Sequence, residues 1–145
     1  MIYLDTNVLI AYINPKDALH RRAVNLLSRR SGEGFVASQL VVLELYSVFS
    51  RVMSVSDEEL EALVNYTIKA CGVEVVQVEW DEVYRSALSY ANKLKLKVLD
   101  LLHVVVAQLA GAKTFMSFDR DINSMASVIE ELLDLRVIGL DYDRV

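Results

Sequence analysis

The chain has 145 residues, of which 54% are hydrophobic, and it carries a formal net charge of −5. One proline and five glycines exclude a disordered or loop-dominated chain. The negative charge argues against a nucleic-acid binder that relies on basic side chains alone, although bound cations can offset an acidic site. Cys71 is the only cysteine, which excludes an intrachain disulfide. The sequence also lacks a basic signal-peptide region and an apolar stretch of about 20 residues, so we expect a soluble, cytoplasmic protein.

Short apolar runs alternate with longer helical patterns along the chain. The predicted strands are 2–4, 35–37, 73–78, 114–117 and 136–138. The predicted helices are 8–13, 17–30, 38–53, 56–72, 81–94, 98–110 and 125–133. Asp17, Ser38 and Ser56 stand where N-caps are expected. This alternation predicts an α/β fold with a mainly parallel sheet of about five short strands, covered by helices on both faces.

Two acidic residues come directly after predicted strands. Asp5 ends the first strand, and Asp119 follows the fourth. Ligands of open parallel sheets bind at the carboxyl ends of the strands. If these two strands are neighbours, both carboxylates meet at one edge of the sheet. Each acid taken alone is also compatible with an ordinary turn or cap.

Two further acids lie in strongly apolar helical segments. Glu44 stands in S-Q-L-V-V-L-E-L-Y-S-V-F, where a carboxylate is costly unless it is paired or binds a cation. Asp100 opens D-L-L-H-V-V-V-A, where the helix dipole also favours an acid. Two unit charges about 4 Å apart repel by roughly 4 kcal/mol at an effective dielectric constant near 20. Four converging carboxylates therefore predict raised pKa values or a bound divalent cation, and oxygen ligands favour Mg²⁺ or Mn²⁺.

These segments together resemble the PIN-domain nucleases. The resemblance is carried by L-D-T-N-V-L-I at the start, the lone Glu44 after S-Q-L, D-L-L-H-V-V-V-A, and S-F-D-R-D. It covers nearly the whole chain, and the short form of one PIN domain over 1–145 is similar to VapC-type toxins of toxin–antitoxin pairs. The resemblance implies a three-layer fold whose acids cluster at a metal site.

The resemblance also assigns roles to individual positions. Asp5, Glu44, Asp100 and Asp119 match the acidic quartet of the family, and Asn7 and Ser117 match its supporting polar positions. It implies that Asp5, Asp100 and Asp119 hold Mg²⁺ or Mn²⁺, while Glu44 is a ligand or accepts a proton from the attacking water. The family's fourth acid aligns better with Asp119 than with Asp121, whose role stays open.

The resemblance further implies a substrate and partners. The substrate is RNA, cut to leave a 5′-phosphate, and the partners are a cognate antitoxin and a second copy of the chain. Arg21, Arg22 and Arg120 are candidates for guiding the RNA backbone. The helix at 40–53 is apolar nearly all round, which also predicts a protein partner.

Other interpretations stay open at this point. A non-catalytic PIN-type module for RNA binding or scaffolding would have the same acids. An aspartyl-phosphate phosphotransferase would use Asp5 as its nucleophile, but it needs a second Asp where this chain has Asn7. His103, three residues after Asp100, is interpreted as a hydrogen-bonded core residue rather than a metal ligand.

Overall fold

The structure, a computed structural model, describes residues 1–140. The five strands in this part of the chain are β1 (Ile2–Leu4), β2 (Phe35–Ala37), β3 (Val73–Val75), β4 (Thr114–Met116) and β5 (Arg136–Ile138). The α-helices are α1 (Thr6–Ile13), α2 (His20–Arg29), α3 (Gln39–Val52), α4 (Asp57–Ala70), α5 (Trp80–Leu94), α6 (Val98–Leu109), α7 (Arg120–Ser124) and α8 (Ala126–Leu133). Residues 141–145 lie outside the described part, so one domain over 1–145 stays a prediction.

The strands form a five-stranded sheet in the order β3-β2-β1-β4-β5, and all four pairings are parallel. The predicted α/β fold class is therefore confirmed. β1 lies at the centre and pairs with β4 in the register that places Leu4 opposite Met116. The residues that follow these two strands are thus brought side by side at the carboxyl edge of the sheet.

The helices form two groups around the sheet. Helices α1 to α4 pack on one another, and α5 packs on α6. Since connections between parallel strands are right-handed, the two groups cover opposite faces. The core is deepest along α6, where residues 101–107 are all buried. None of the helices in residues 1–140 has the length and apolarity needed to cross a membrane.

Several helix ends follow the sequence closely. The Ser38 hydroxyl accepts a hydrogen bond from the Leu40 amide at the start of α3. Ser56 and Glu59 form the predicted capping box of α4, in which each side chain accepts a backbone amide of the other residue. Gly72 follows α4 with φ +66°, the left-handed conformation that favours glycine after a helix.

Some predicted boundaries were wrong. Asp17 does not cap α2, because its carboxylate accepts the Leu19 amide in the preceding turn and the helix begins at His20. The third strand was predicted to end at residue 78, but it ends at Val75, because Val75 is the last residue that pairs with β2. The helix predicted at 125–133 is preceded by a separate short helix, α7, which Asp119 caps.

Candidate active site

Asp5 stands at the junction of β1 and α1 and is almost fully buried, with 6% exposure. Its backbone has the extended conformation of an N-cap, and its Oδ1 accepts a hydrogen bond from the Thr6 amide at 2.8 Å. Its Oδ2 accepts one from the Ser117 hydroxyl at 2.7 Å. Burial raises the pKa of the Asp5 carboxyl, because a charged group loses its hydration there. Both carboxylate oxygens are therefore held in place by the fold.

Ser117 connects the ends of the two central strands. It is fully buried, and besides donating to Asp5 its Oγ accepts the Asp119 amide at 3.0 Å and the Asn7 side-chain amide at 3.5 Å. The Asn7 carbonyl oxygen in turn accepts the Phe118 amide at 3.1 Å. The two polar positions singled out in the sequence thus lie between Asp5 and Asp119 and tie them together.

Asp119 is fixed by a short helix that the sequence did not predict. Its Oδ1 accepts the Ile122 amide at 2.9 Å and caps α7. Asn123, on the same helix, donates to the carbonyl oxygens of Ser117 and Asp119 at 2.8 and 2.7 Å. We did not predict a role for Asn123, because its partners are backbone atoms brought together by the turn and no sequence pattern marks them.

Glu44 approaches Asp5 from α3. Its Oε1 accepts a hydrogen bond from the Thr6 hydroxyl at 3.1 Å and contacts His103 Nε2. Partial burial raises the pKa of Glu44, but the hydrogen bond and charge of His103 and the Thr6 hydroxyl outweigh it, and the net pKa is lowered. His103 Nε2 lies 3.8 Å from Asp5 Oδ1, so the imidazole is next to both acids.

A second acidic group lies beside the first. One carboxylate oxygen from each of Asp100, Asp119 and Asp121 falls within 4.8 Å of the others. Asp100, in the first turn of α6, has its pKa raised to about 6, first by burial and then by the charges of Asp119, Asp5 and Asp121. The role of Asp121 was open from the sequence, and the structure places Asp121 in this second acidic group.

All four predicted acids therefore reach the same edge of the sheet, but in two groups. Within residues 1–140, Asp5 and Glu44 group with His103, whereas Asp100 and Asp119 group with Asp121. Of the predicted metal ligands, Asp5 is in the first group and Asp100 and Asp119 are in the second. Ser117 connects the two groups, because it is hydrogen-bonded to Asp5 and to the Asp119 amide. Three hard oxygen donors with unbalanced negative charge fit a divalent cation such as Mg²⁺ or Mn²⁺. His103 is buried and hydrogen-bonded, as expected, but it also takes part in the site.

The raised pKa of Asp100 predicts how stability depends on pH. A carboxyl whose pKa is raised on folding stabilises the protein below its unfolded value of 3.8 and loses that contribution as the pH rises through about 6. Without metal, Asp100→Asn should thus stabilise the protein by about 1 kcal/mol near pH 8, since Asp100 is only partly buried, and by nothing near pH 4.

Thermal unfolding in chelator at both pH values measures this difference. Asp134→Asn is the matched control, because Asp134 is exposed and pairs with Lys113 away from the site. Added Mn²⁺ should raise the melting temperature of the wild-type protein more than that of Asp100→Asn. Equal stability of the variant and the wild-type protein at both pH values would contradict a raised pKa of Asp100 in the folded protein.

Comparison with known families decides the classification of this fold and site. The model of the PIN domain family matches residues 2–128, which is most of the chain. The chain belongs to the PIN domain family. The predicted family is thereby confirmed, and the matched residues contain all four acids of the predicted quartet.

Solved structures share this PIN fold over nearly the whole chain. VapBC2 from Rickettsia felis, bound to a DNA fragment from its promoter, superposes with a TM-score of 0.68 at 19% identity, covering 97% of this chain and 100% of that one. A toxin–antitoxin complex from Klebsiella pneumoniae gives 0.65 at 14% identity, with coverages of 96% and 97%. VapC20 from Mycobacterium tuberculosis, described as a toxin that cleaves the sarcin–ricin loop, gives 0.65 at 18% identity, with coverages of 94% and 99%.

A curated relative matches in sequence over a shorter region. It is a vacuolar membrane protease from Meyerozyma guilliermondii, 26% identical over 106 residues. The match covers 70% of this chain, but this chain spans only 11% of the length of that protein. Such a short share of the relative carries no argument about protease activity here.

Proposed function

We propose that this PIN domain is a metal-dependent endoribonuclease and the toxin of a VapBC-type toxin–antitoxin pair. The observation that carries the proposal is the meeting of Asp5, Glu44, Asp100 and Asp119 at the carboxyl edge of the sheet. The similarity of the fold to toxins of this type supports it. With cellular RNA as its substrate, the protein would act in the cytoplasm.

The side chains divide the work of phosphodiester hydrolysis. Asp5, Asp100 and Asp119 would hold Mg²⁺ or Mn²⁺, with Asp121 as a further ligand from the second group. The bound cation would supply Lewis-acid stabilisation of the phosphate and a lower pKa for the attacking water. Glu44, whose lowered pKa keeps it ionised at neutral pH, accepts the proton of that water. The water oxygen bonds to phosphorus and the bond from phosphorus to the 3′ oxygen breaks. The 3′ oxygen takes a proton from solvent and Glu44 returns its proton to solvent, which leaves a 5′-phosphate and a 3′-hydroxyl.

The three basic residues considered for guiding RNA have different surroundings. Arg120 is exposed and directly follows Asp119, and Arg21 is exposed on α2. Arg22 instead donates from Nε to the carbonyl oxygen of Gly139 and so helps to fix the segment after β5. We therefore assign the steering of the phosphate backbone to Arg120 and Arg21.

The proposed activity is tested by incubating the purified protein with total cellular RNA and Mn²⁺, with and without chelator. We expect discrete cuts with 5′-phosphate ends, seen only when Mn²⁺ is available. Mapping the ends identifies the RNA class. Mn²⁺ binding without any cut, in RNA from several sources, would favour a non-catalytic RNA-binding or scaffolding module instead.

We also propose that an antitoxin and a second copy of the chain cover the exposed apolar residues. On α3, Leu43 is 65% exposed on the side opposite the buried Val41 and Leu45, and Val52 is 70% exposed at the end of the helix. On α5, Tyr84 and Leu88 lie four residues apart and are also exposed. Exposed apolar side chains that are neighbours on one helix face, as Tyr84 and Leu88 are, are typical of protein interfaces.

A charged residue on α3 tests the partner surface. Leu43→Asp should weaken binding of the co-expressed antitoxin by about 10-fold or more, because a central apolar contact is replaced by a desolvated charge. Ser50→Asp, on the exposed part of the same helix, adds the same charge without removing an apolar contact and is the matched control. Light scattering reports the oligomer and titration calorimetry the antitoxin affinity. Unchanged affinity and oligomeric state in Leu43→Asp would exclude this surface.

A further inference from the structure

We propose that His103 is a positioning residue that orients the Glu44 carboxylate, and that Tyr3 and Ser38 hold the imidazole in place for this task. The inference rests on the proposed nuclease function, in which Glu44 accepts the proton of the attacking water. It assigns a role to three residues outside the acidic quartet. Its basis is a hydrogen-bonded chain that runs from Ser38 at the end of β2 through Tyr3 and His103 to Glu44 on α3.

His103 is a polar residue in a strongly apolar helix, α6. It lies among the seven consecutive buried residues of α6 and is itself only 2% exposed. Both ring nitrogens have partners, since Nδ1 lies 3.0 Å from the Tyr3 hydroxyl and Nε2 contacts Glu44 Oε1. A ring with one hydrogen-bond partner on each side has a fixed orientation, because rotation would break both contacts.

The far end of the chain is equally buried. Tyr3 is at the centre of β1, is fully buried, and stacks on Phe115 of β4 with ring centroids 5.4 Å apart. Its hydroxyl lies 2.8 Å from Ser38 Oγ, and Ser38 is also fully buried. The hydroxyl of Tyr3 is therefore a rigid anchor for His103 rather than a solvated group.

The chain closes on the helix that carries Glu44. Ser38 Oγ also accepts the Leu40 amide and thereby starts α3. One end of the network thus fixes the beginning of α3, and the other end fixes the Glu44 carboxylate on the same helix. His103 and Thr6 both contact Oε1, so that oxygen of the Glu44 carboxylate is held from two sides.

Glu44 needs such support because, besides His103, the Thr6 hydroxyl is the side-chain group that contacts its carboxylate among the described residues. Its side chain is 27% exposed, has three rotatable bonds, and is on a helix whose outer face meets solvent. A proton acceptor must stay within hydrogen-bond reach of the water that it activates. The buried His103 imidazole keeps the Glu44 carboxylate in such a position, because it contacts Oε1 from the core.

Three variants test the proposal in the cleavage assay with Mn²⁺. His103→Leu keeps the apolar volume but removes both hydrogen bonds, and loss of such a supporting partner should lower kcat by about 10- to 100-fold with little change in KM. Tyr3→Phe removes only the anchoring hydroxyl and should have a smaller effect in the same direction. His103→Gln, whose amide can still donate to Glu44, should recover part of the lost kcat.

Val105→Ala is the matched control, because it truncates a fully buried side chain of the same helix without touching the network. It should lower the melting temperature and leave kcat unchanged. If His103→Leu does not fold, Tyr3→Phe and His103→Gln decide the matter. A kcat within about twofold of the wild-type value in the folded variants would overturn the proposal.

A spectroscopic measurement separates this inference from the proposed activity. In protein with ¹⁵N-labelled histidine, Glu44→Gln should shift the Nε2 resonance of His103, and Tyr3→Phe should shift Nδ1. His20, whose Nδ1 contacts the Ala11 carbonyl oxygen, is the internal reference. If the wild-type protein cuts no RNA, the proposed function is contradicted. If neither substitution shifts the His103 resonances, the positioning network is contradicted.

Discussion

Asp5→Asn should reduce Mn²⁺-dependent RNA cleavage on the order of 1,000-fold while the protein stays folded. The loss is expected because Asp5 is the central acid of the site, next to Glu44 and His103 and bridged to Asp119 through Ser117. Replacing its charged oxygen by an amide nitrogen removes a cation ligand. The cleavage rate and the affinity for Mn²⁺ should fall together.

The fold should survive because asparagine is as good an N-cap as aspartate. The side-chain carbonyl oxygen of the introduced asparagine can accept the Thr6 amide in the same way, at the cost of the hydrogen bond that the Ser117 hydroxyl donates to Asp5. Since burial already raises the pKa of Asp5, removing its charge does not destabilise the metal-free protein. Circular dichroism and the melting temperature check this point. Asp57→Asn, in the first turn of α4, is a control that should cleave like the wild-type protein.

Retained cleavage by Asp5→Asn at the wild-type rate would exclude this edge of the sheet as the active site. Loss of cleavage in an identically prepared Asp5→Asn sample would show that the cuts are made by this protein and not by a contaminating ribonuclease. The chelator arm of the assay gives the second check, since a metal-independent ribonuclease keeps cutting when the cation is removed.

Gly139→Ala should destabilise the protein by about 2–4 kcal/mol. Gly139 has φ +139°, a conformation that other residues rarely adopt, and a Cβ there would lie 1.9 Å from the Ser117 carbonyl oxygen and 2.8 Å from its carbon. These are backbone atoms next to β4, so a side-chain rotation cannot relieve the clash. The Ser117 amide also donates to the Ile138 carbonyl at 3.0 Å, which keeps the two segments in contact.

The activity of Gly139→Ala should fall as well, because Ser117 is the donor to Asp5. Calorimetry measures the loss of stability, and cleavage at a temperature where the variant is folded measures the loss of activity. Gly32→Ala is the control, since a Cβ at Gly32 has no atom within 4 Å. A variant as stable as Gly32→Ala would mean that the segment after β5 does not hold Ser117 in place.

The sequence predicts the outline of the site because its acids occupy chemically costly positions. Asp5 and Asp119 follow apolar strands, and Glu44 interrupts an apolar helix, so each departs from its local pattern. Asp5 and Asp119 can be helix caps and site residues at the same time. Each caps a helix with a carboxylate oxygen, and both helices begin at the edge of the sheet where the acids meet.

The remaining features depend on contacts between distant segments. His103 is on a periodic apolar helix, and its neighbours Tyr3 and Glu44 are 100 and 59 positions away. Asn123 binds carbonyl oxygens whose positions follow from the turn after β4. The need for glycine at 139 arises only when β5 pairs with β4. Local sequence patterns cannot predict these contacts, because they form only when the complete sheet brings distant segments together.

The bond between Ser117 and Asp5 has a consequence for folding. β1 and β4 are three residues long, and such short parallel strands distinguish poorly between neighbouring registers from backbone pairing alone. A shift by one residue would separate the Ser117 hydroxyl from the Asp5 carboxylate and leave a buried acid without its donor. The hydrogen bond between Ser117 and Asp5 therefore makes a shifted register of β1 and β4 less stable than the native one. The native register and the assembled site form together.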